Sequence, residues 1–204
     1  MFNTMFAVLI SYIIGSFPTS YVIARFKGID IRKRGSGNVG ATNVLRVIGR
    51  LPAIFALLID MLKGVIVVAL VAGFFYERGI PFELSILKAL LGITVICGHV
   101  WSIFLVFNGG KGVATSIGVL AMLMPCALIS GLVIFFIVTW RTKFVSLGSI
   151  IMSVSIPLIA AVMGYKMEYV IVSVTLCIII SYKHKTNIKR ILAGTENKIG
   201  AKFC

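Results

Sequence analysis

Long apolar runs alternate with short polar connections along this chain, and that alternation limits its fold more than any other feature. The runs fall at about residues 5–24, 51–76, 84–107, 113–139, 144–163 and 168–182. Crossing the ~30 Å hydrocarbon core of a bilayer takes about 20 residues of helix, and most of these runs meet that length. Inside lipid every backbone N–H and C=O has to be satisfied within the segment, so the runs are read as helices. Charged residues make up 13% of the chain and its mean hydropathy is +1.08, whereas an ordinary soluble domain carries about 25% charged residues. The expectation is an all-α polytopic integral membrane protein, with residues 1–204 as a single transmembrane domain and no separate soluble module. No Lys or Arg precedes Arg25 and no small-residue cleavage site follows the first run, which is therefore expected to stay as a first helix and not to be a signal peptide.

The net charge of +14 is clustered. Arg25, Lys27, Arg32, Lys33, Arg34, Arg46 and Arg50 share the first connection with Asp30, while Lys183, Lys185, Lys189, Arg190, Lys198 and Lys202 share the tail with Glu196. In a membrane protein such clusters mark the cytoplasmic side, and no nucleic-acid partner is inferred from them. If the first connection and the tail lie on one side, an even number of spans separates them, yet the runs give five. One run has to be two. The run at 113–139 carries Pro125 in its middle, where a missing N–H breaks the helical ladder. Two short helices of about 13 residues, roughly 20 Å each at 1.5 Å per residue, are expected there. The total becomes about seven transmembrane helices, with the N-terminus outside and the C-terminus cytoplasmic. Cytoplasmic loops fall at 25–50, 108–112, 141–143 and 183–204 and external turns near 77–83, 125 and 164–168, which suits a multi-pass protein of the cell membrane.

Cys97, Cys126, Cys177 and Cys204 lie far apart, with no C-x-x-C spacing. They are read as packing residues, with neither a disulfide frame nor a zinc site.

Against this apolar background two polar islands stand out. The first, residues 35–43, reads Gly35-Ser36-Gly37-Asn38-Val39-Gly40-Ala41-Thr42-Asn43, with Arg46 three residues later. Three glycines with hydroxyl and amide side chains bring N–H and O–H donors close together, as a phosphate oxygen requires, and an arginine adds a planar fork. The second island reads Asn108-Gly109-Gly110-Lys111-Gly112-Val113-Ala114-Thr115-Ser116 and opens a helix. Its Gly110-Lys111-x-x-Ala114-Thr115-Ser116 echoes Gly37-Asn38-x-x-Ala41-Thr42-Asn43, either by chance, as one helix-entry chemistry used twice, or as two anion cradles on one membrane face, each at the mouth of a helix. The second island lacks the spacing of a nucleotide P-loop, since Gly112 follows Lys111.

Asp60 and Lys63 lie inside a run, one helical turn apart, either as a functional pair or as a self-neutralising one that holds its helix to a neighbour. His99 ends a run beside Trp101 and is either interfacial or catalytic. In the tail, His184, Asn187 and Arg190 recur at steps of three and would share a helix face, ahead of Gly194-Thr195-Glu196-Asn197. Ser146-Leu147-Gly148-Ser149 is a further small polar helix entry.

Several of these motifs together resemble one family. Gly15-Ser16-Phe17-Pro18-Thr19-Ser20-Tyr21, the G-S-G-N-V-G-A-T-N-V-L-R run from Gly35 to Arg46, G-H from Gly98, F-x-G-G-K-G-V-A-T from Phe107, S-L-G-S from Ser146, and H-x-x-N-I-x-R with G-T-E-N-K from His184 to Lys198 are similar to the acyl-phosphate-dependent glycerol-3-phosphate acyltransferases (PlsY), across almost the whole chain. The resemblance implies a seven-helix membrane enzyme that moves a fatty acyl group from acyl phosphate to the sn-1 hydroxyl of glycerol 3-phosphate, at the first step of phospholipid biosynthesis. Its products are 1-acylglycerol 3-phosphate (lysophosphatidic acid) and phosphate. It also implies Ser36, Arg46, Lys111 and His184 as catalytic residues, and Gly37, Asn38, Thr42, Asn43, Gly109, Gly110, Thr115, Ser146, Asn187 and Glu196 as substrate-binding ones. Val106 and Asn108 depart from the pattern, standing where family members often carry lysine.

The residues suit that chemistry on their own terms. Donor, acceptor and products are all phosphates, so the site needs cations and N–H groups and no metal or other cofactor. Acyl phosphate is already activated, so no covalent nucleophile is required. The hydroxyl proton goes either to the leaving phosphate or to His184. CoA and acyl carrier protein are not expected as direct donors, because the H-x4-D dyad of the other glycerolipid acyltransferases is missing: Phe104 stands five residues after His99 and Lys189 five after His184. A membrane anion (organophosphate) transporter is the alternative, but the external turns offer almost no polar pathway. A phosphatidyl-alcohol transferase needs clustered aspartates for a metal, and Asp30 and Asp60 stand alone.

Overall fold

The computed structural model describes residues 2–199, so Lys202 and Cys204 lie outside the described residues. Within them every regular element is helical. The chain forms two compact units, residues 2–122 and 123–199. Among the described residues five segments are long and apolar enough to cross a bilayer, Phe2–Phe26, Arg50–Tyr76, Leu84–Leu105, Pro125–Thr142 and Val145–Val162, or six where the bent pair Met167–Lys183 with Lys185–Leu192 counts as one span. Side chains on their outer faces are large and apolar, as at Phe55, Leu62, Ile129, Phe136 and Leu158. Those turned inward include Ser16, Thr19, Asp60 and Ser149. Polar inside and greasy outside is the arrangement a lipid solvent selects.

The first unit contains α1 (Phe2–Ser16), α2 (Thr19–Phe26), α3 (Ala41–Val47), α4 (Arg50–Ile66), α5 (Ala72–Tyr76), α6 (Leu84–Val100) and α7 (Val113–Leu123), whose last residue belongs to the second unit. A π-helical turn at Val67–Val71 joins α4 to α5 within one continuous span. Glycines let the helices approach closely. A Cβ at Gly15 would strike the Val95 carbonyl and one at Gly98 the Tyr12 carbonyl, so α1 and α6 touch backbone to backbone. Gly118 meets Met61 and Gly64 meets Thr115 in the same way, which binds α7 to α4. The second unit contains α8 (Pro125–Thr142), α9 (Val145–Val162), α10 (Met167–Lys183) and α11 (Lys185–Leu192), packed in sequence.

Two expectations need correction. The first apolar run is not one helix: α1 stops at Ser16 and α2 starts at Thr19, because Pro18 has no N–H to offer the ladder. The run at 113–139 does divide at Pro125, but into unequal parts. Proline takes the first position of α8, where its missing N–H is harmless. From there α8 runs 18 residues to Thr142, so the expected loop at 141–143 shrinks to a left-handed Lys143. Only α7, with 11 residues, is short. The three described cysteines are unbridged.

Candidate active site

In the first island the chain folds around one side chain. Asn43, buried on α3, accepts a hydrogen bond at Oδ1 from the Ser36 N–H at 2.9 Å, and its amide nitrogen lies 3.0 Å from the carbonyls of Arg34 and Asn38 and 3.2 Å from that of Ile31. Asn43 was expected among the substrate-binding residues, but its amide is engaged within the loop that presents Ser36, Gly37 and Asn38. Gly35 and Gly37 take left-handed backbone (φ +58° and +71°), and a Cβ at Gly35 would overlap Asn43 Oδ1, so the tight wrap depends on these glycines. Thr42 and Arg46 follow on α3, both half-buried. That helix has only seven residues, so its dipole adds less to an anion cradle than the sequence suggested. Upstream, the Arg32 guanidinium grips Asp30 at 3.0 and 2.8 Å and holds its carboxyl down at about 2. The Arg32 guanidinium also lies 4.9 Å from the centre of the Tyr21 ring, a cation–π distance.

The second island leaves α6 through two left-handed residues, Val106 and Phe107, and turns back on itself. The Gly109 and Gly110 N–H groups donate to the carbonyls of Val100 and His99 at 3.2 and 3.1 Å. Lys111 is half-buried, and α7 opens two residues later with Thr115 and Ser116, whose hydroxyls are buried and have no hydrogen-bond partner. Ser16, Thr19 and Ser20, at the Pro18 break, carry further buried and unpartnered hydroxyls. Since a buried hydroxyl without a partner costs about 1–3 kcal/mol, such a group marks a place where a polar ligand or water fits. These three residues line a small cleft with Asp60, His99 and Ser102, and both islands reach it, through Val39 and through Gly109 and Gly110.

The spacing of Asp60 and Lys63 marks them as a pair within α4, but not the addition of His99 to it. Lys63 Nζ lies 2.6 Å from Asp60 Oδ1, and that oxygen lies 3.8 Å from His99 Nδ1. The approach of His99 to the pair depends on the packing of α4 and α6, which local sequence does not encode.

In the second unit the tail is built around Glu196, exposed by 7%. Its Oε1 accepts from Ser146 Oγ at 2.9 Å and from Asn187 Nδ2 at 2.7 Å, and its Oε2 from Arg190 Nε at 2.9 Å. Burial pushes the carboxyl up, but the hydrogen bonds from Arg190, Asn187 and Ser146, together with the Arg190 charge, outweigh it and hold the group below its ordinary value. Asn187 and Arg190 do share a face of α11, as their spacing suggested. His184 instead occupies the 58° bend between α10 and α11, where its Nδ1 lies 2.8 Å from the Ile180 carbonyl. A donated Nδ1–H there makes Nε2 the basic nitrogen of the neutral ring. Gly194, with φ +69°, closes α11 through N–H bonds from Gly194 to Ile191 and from Thr195 to Arg190, which turns Glu196 back toward α9.

Comparison with known proteins gives a consistent result. The model of the glycerol-3-phosphate acyltransferase family matches residues 5–194. A glycerol-3-phosphate acyltransferase of Shouchella clausii is 45% identical over 205 residues, covering 96% of this chain and 95% of its own length. One from Halalkalibacterium halodurans is 44% identical over 201 residues, with the same coverage of 96% and 95%. Among solved structures, PlsY, described as an integral membrane glycerol 3-phosphate acyltransferase, superposes in its glycerol 3-phosphate form with a TM-score of 0.88 at 33% identity, over 97% of this chain and 96% of that one. Its lysophosphatidic acid form gives 0.85 at 32%, over 97% and 95%.

Proposed function

The chain belongs to the glycerol-3-phosphate acyltransferase family, and from that premise we propose that it transfers a fatty acyl group from acyl phosphate to the sn-1 hydroxyl of glycerol 3-phosphate. The hydroxyl oxygen bonds to the acyl carbon, the bond from that carbon to the phosphate oxygen breaks, and inorganic phosphate leaves with the electron pair. The hydroxyl proton passes to the leaving phosphate or to His184 Nε2. The observation that carries the proposal is the cleft on which both islands meet, Val39 from one and Gly109 and Gly110 from the other, within a unit that also holds Arg46 and Lys111. A reaction whose reactants and products are all phosphates needs fixed cations and N–H donors in a site screened from water.

Arg46 and Lys111 clamp phosphate, the first as a fork and the second as a point charge. Ser36, Asn38 and Thr42 orient the phosphate groups with Gly37, Gly109, Gly110 and Thr115 around them, and Asn43 keeps the first loop in shape. His184, Asn187 and Ser146 serve the glycerol phosphate, with Glu196 fixing the last two. Membrane lipid supplies the acyl donor laterally and takes up the product, and acyl-CoA and acyl carrier protein are not direct donors. Residues 1–204 act as one domain with seven spans, α7 being the seventh, the N-terminus outside, and the islands and tail on the cytoplasmic face of the cell membrane.

Purified protein given palmitoyl phosphate and glycerol 3-phosphate should release one phosphate per 1-acylglycerol 3-phosphate formed, as read by phosphorus NMR. Phosphate release that ignores glycerol 3-phosphate, with no acylated product, would identify a hydrolase and overturn the assignment.

A further inference from the structure

Three buried ionisable side chains of the first unit have no part in the transfer just described: Asp60 and Lys63 on α4, and His99 near the end of α6, exposed by 2, 5 and 9%. Charges at such depth are costly unless paired. If mutual neutralisation were the whole purpose, the 2.6 Å contact between Lys63 and Asp60 would complete it. The connections continue in both directions. Lys63 Nζ also donates to the Phe17 carbonyl at the break between α1 and α2, 2.5 Å away. On the other side Asp60 faces the His99 ring, and His99 carries the second island.

His99 and the island touch twice. The His99 carbonyl accepts the Gly110 N–H at 3.1 Å. The imidazole itself lies against Gly110: a Cβ there would overlap ring Nε2 and stand 3.1 Å from Cδ2 and Cε1, so the three nearest atoms all belong to that ring. Gly110 is not among the glycines with left-handed backbone, whereas Gly112 is, at φ +85°. The need for glycine at 110 therefore comes from the ring and not from the backbone.

We propose that His99 is a positioning residue. Its imidazole, held by the Asp60 and Lys63 pair, is the surface on which residues 109–110 are shaped so that the Lys111 ammonium meets the phosphate of glycerol 3-phosphate. The inference rests on the proposed acyl transfer, which supplies that ligand, and it assigns the buried pair a task in binding.

Gly110→Ala, His99→Ala and the double variant test it, each read by turnover and by calorimetric binding of glycerol 3-phosphate, with thermal unfolding in detergent as the control. Gly110→Ala forces a methyl group into the ring and should raise KM and Kd for glycerol 3-phosphate about 10-fold, with a smaller change in kcat. Removing the ring as well should restore at least about a third of the lost affinity, although His99→Ala alone weakens binding. Wild-type affinity in Gly110→Ala would overturn the inference even if His99→Ala fails to fold. So would a double variant no better than Gly110→Ala, or a fall in unfolding temperature with KM unchanged. Wild-type protein that binds glycerol 3-phosphate without acylating it would refute the transfer reaction and leave the binding arms of the test intact.

Discussion

Replacing Glu196 by glutamine keeps the side-chain shape and removes a charge to which three donors point, Ser146 Oγ, Asn187 Nδ2 and Arg190 Nε. Glutamine offers one acceptor oxygen, so its amide nitrogen must face donors on one side. A hydrogen bond to a charged group contributes about 1.5–3 kcal/mol and an unpaired buried donor costs about 1–3 kcal/mol. The Arg190 side chain is 32% exposed, so water recovers part of its share, and about 2 kcal/mol is expected to be lost from the docking of the tail. Hydrogen–deuterium exchange in detergent micelles should then show amides of α11 and residues 193–199 exchanging about 30-fold faster at pH 7. The pH dependence has a definite sign. A carboxyl held below its ordinary value of 4.5 stabilises the docked tail above that pH, and the contribution is lost as pH falls through the lower folded value. Wild-type tail protection should therefore drop only below pH 4.5, and Glu196→Gln should lack that step. Equal protection at pH 7 and the same acid transition in both proteins would refute the role given to Glu196.

Replacing Arg46 by lysine keeps the charge and loses the fork, so kcat/KM should fall at least ~10-fold, or about 1.4 kcal/mol. Lys111→Ala should cost as much or more, and Lys202→Ala almost nothing; three equal effects would reduce the basic residues to a membrane anchor. Among the described residues no three His, Cys, Asp or Glu side chains lie close enough together to hold a metal ion. EDTA should accordingly leave the rate within about twofold, and a large loss restored by magnesium would contradict a metal-free site. On a cysteine-free background, an impermeant thiol reagent applied from outside should label a cysteine at position 125 and not one at position 38, and the opposite pattern would invert the proposed topology.

What the sequence made legible was local. Apolar runs announce helices because lipid leaves the backbone no other partner, and Pro125 announces a break because its missing N–H acts within one turn. Pro18 carries the same signal, but it lies near the end of the run from 5 to 24, where an apolar stretch of spanning length reads as one helix. The extra turn of α8 through Arg141 and Thr142 has no sequence signal, because a positive charge ending a span reads as a loop. Composition located both islands, yet it could not show that Asn43 is engaged in shaping its own loop, since an amide that binds substrate and one that binds backbone look alike in sequence. The contact of Asp60 with His99, 39 positions apart in the numbering, depends on the crossing of two helices, and no local pattern encodes that.

The identity of the acyl donor separates a site for bare phosphate from one for a thioester, and three donors compared side by side decide between them. Palmitoyl phosphate, palmitoyl-CoA and palmitoyl-acyl carrier protein, each offered at the same concentration with labelled glycerol 3-phosphate, should differ sharply, with 1-acylglycerol 3-phosphate forming at a substantial rate from palmitoyl phosphate alone. Comparable product from either thioester would contradict a site built around bare phosphate.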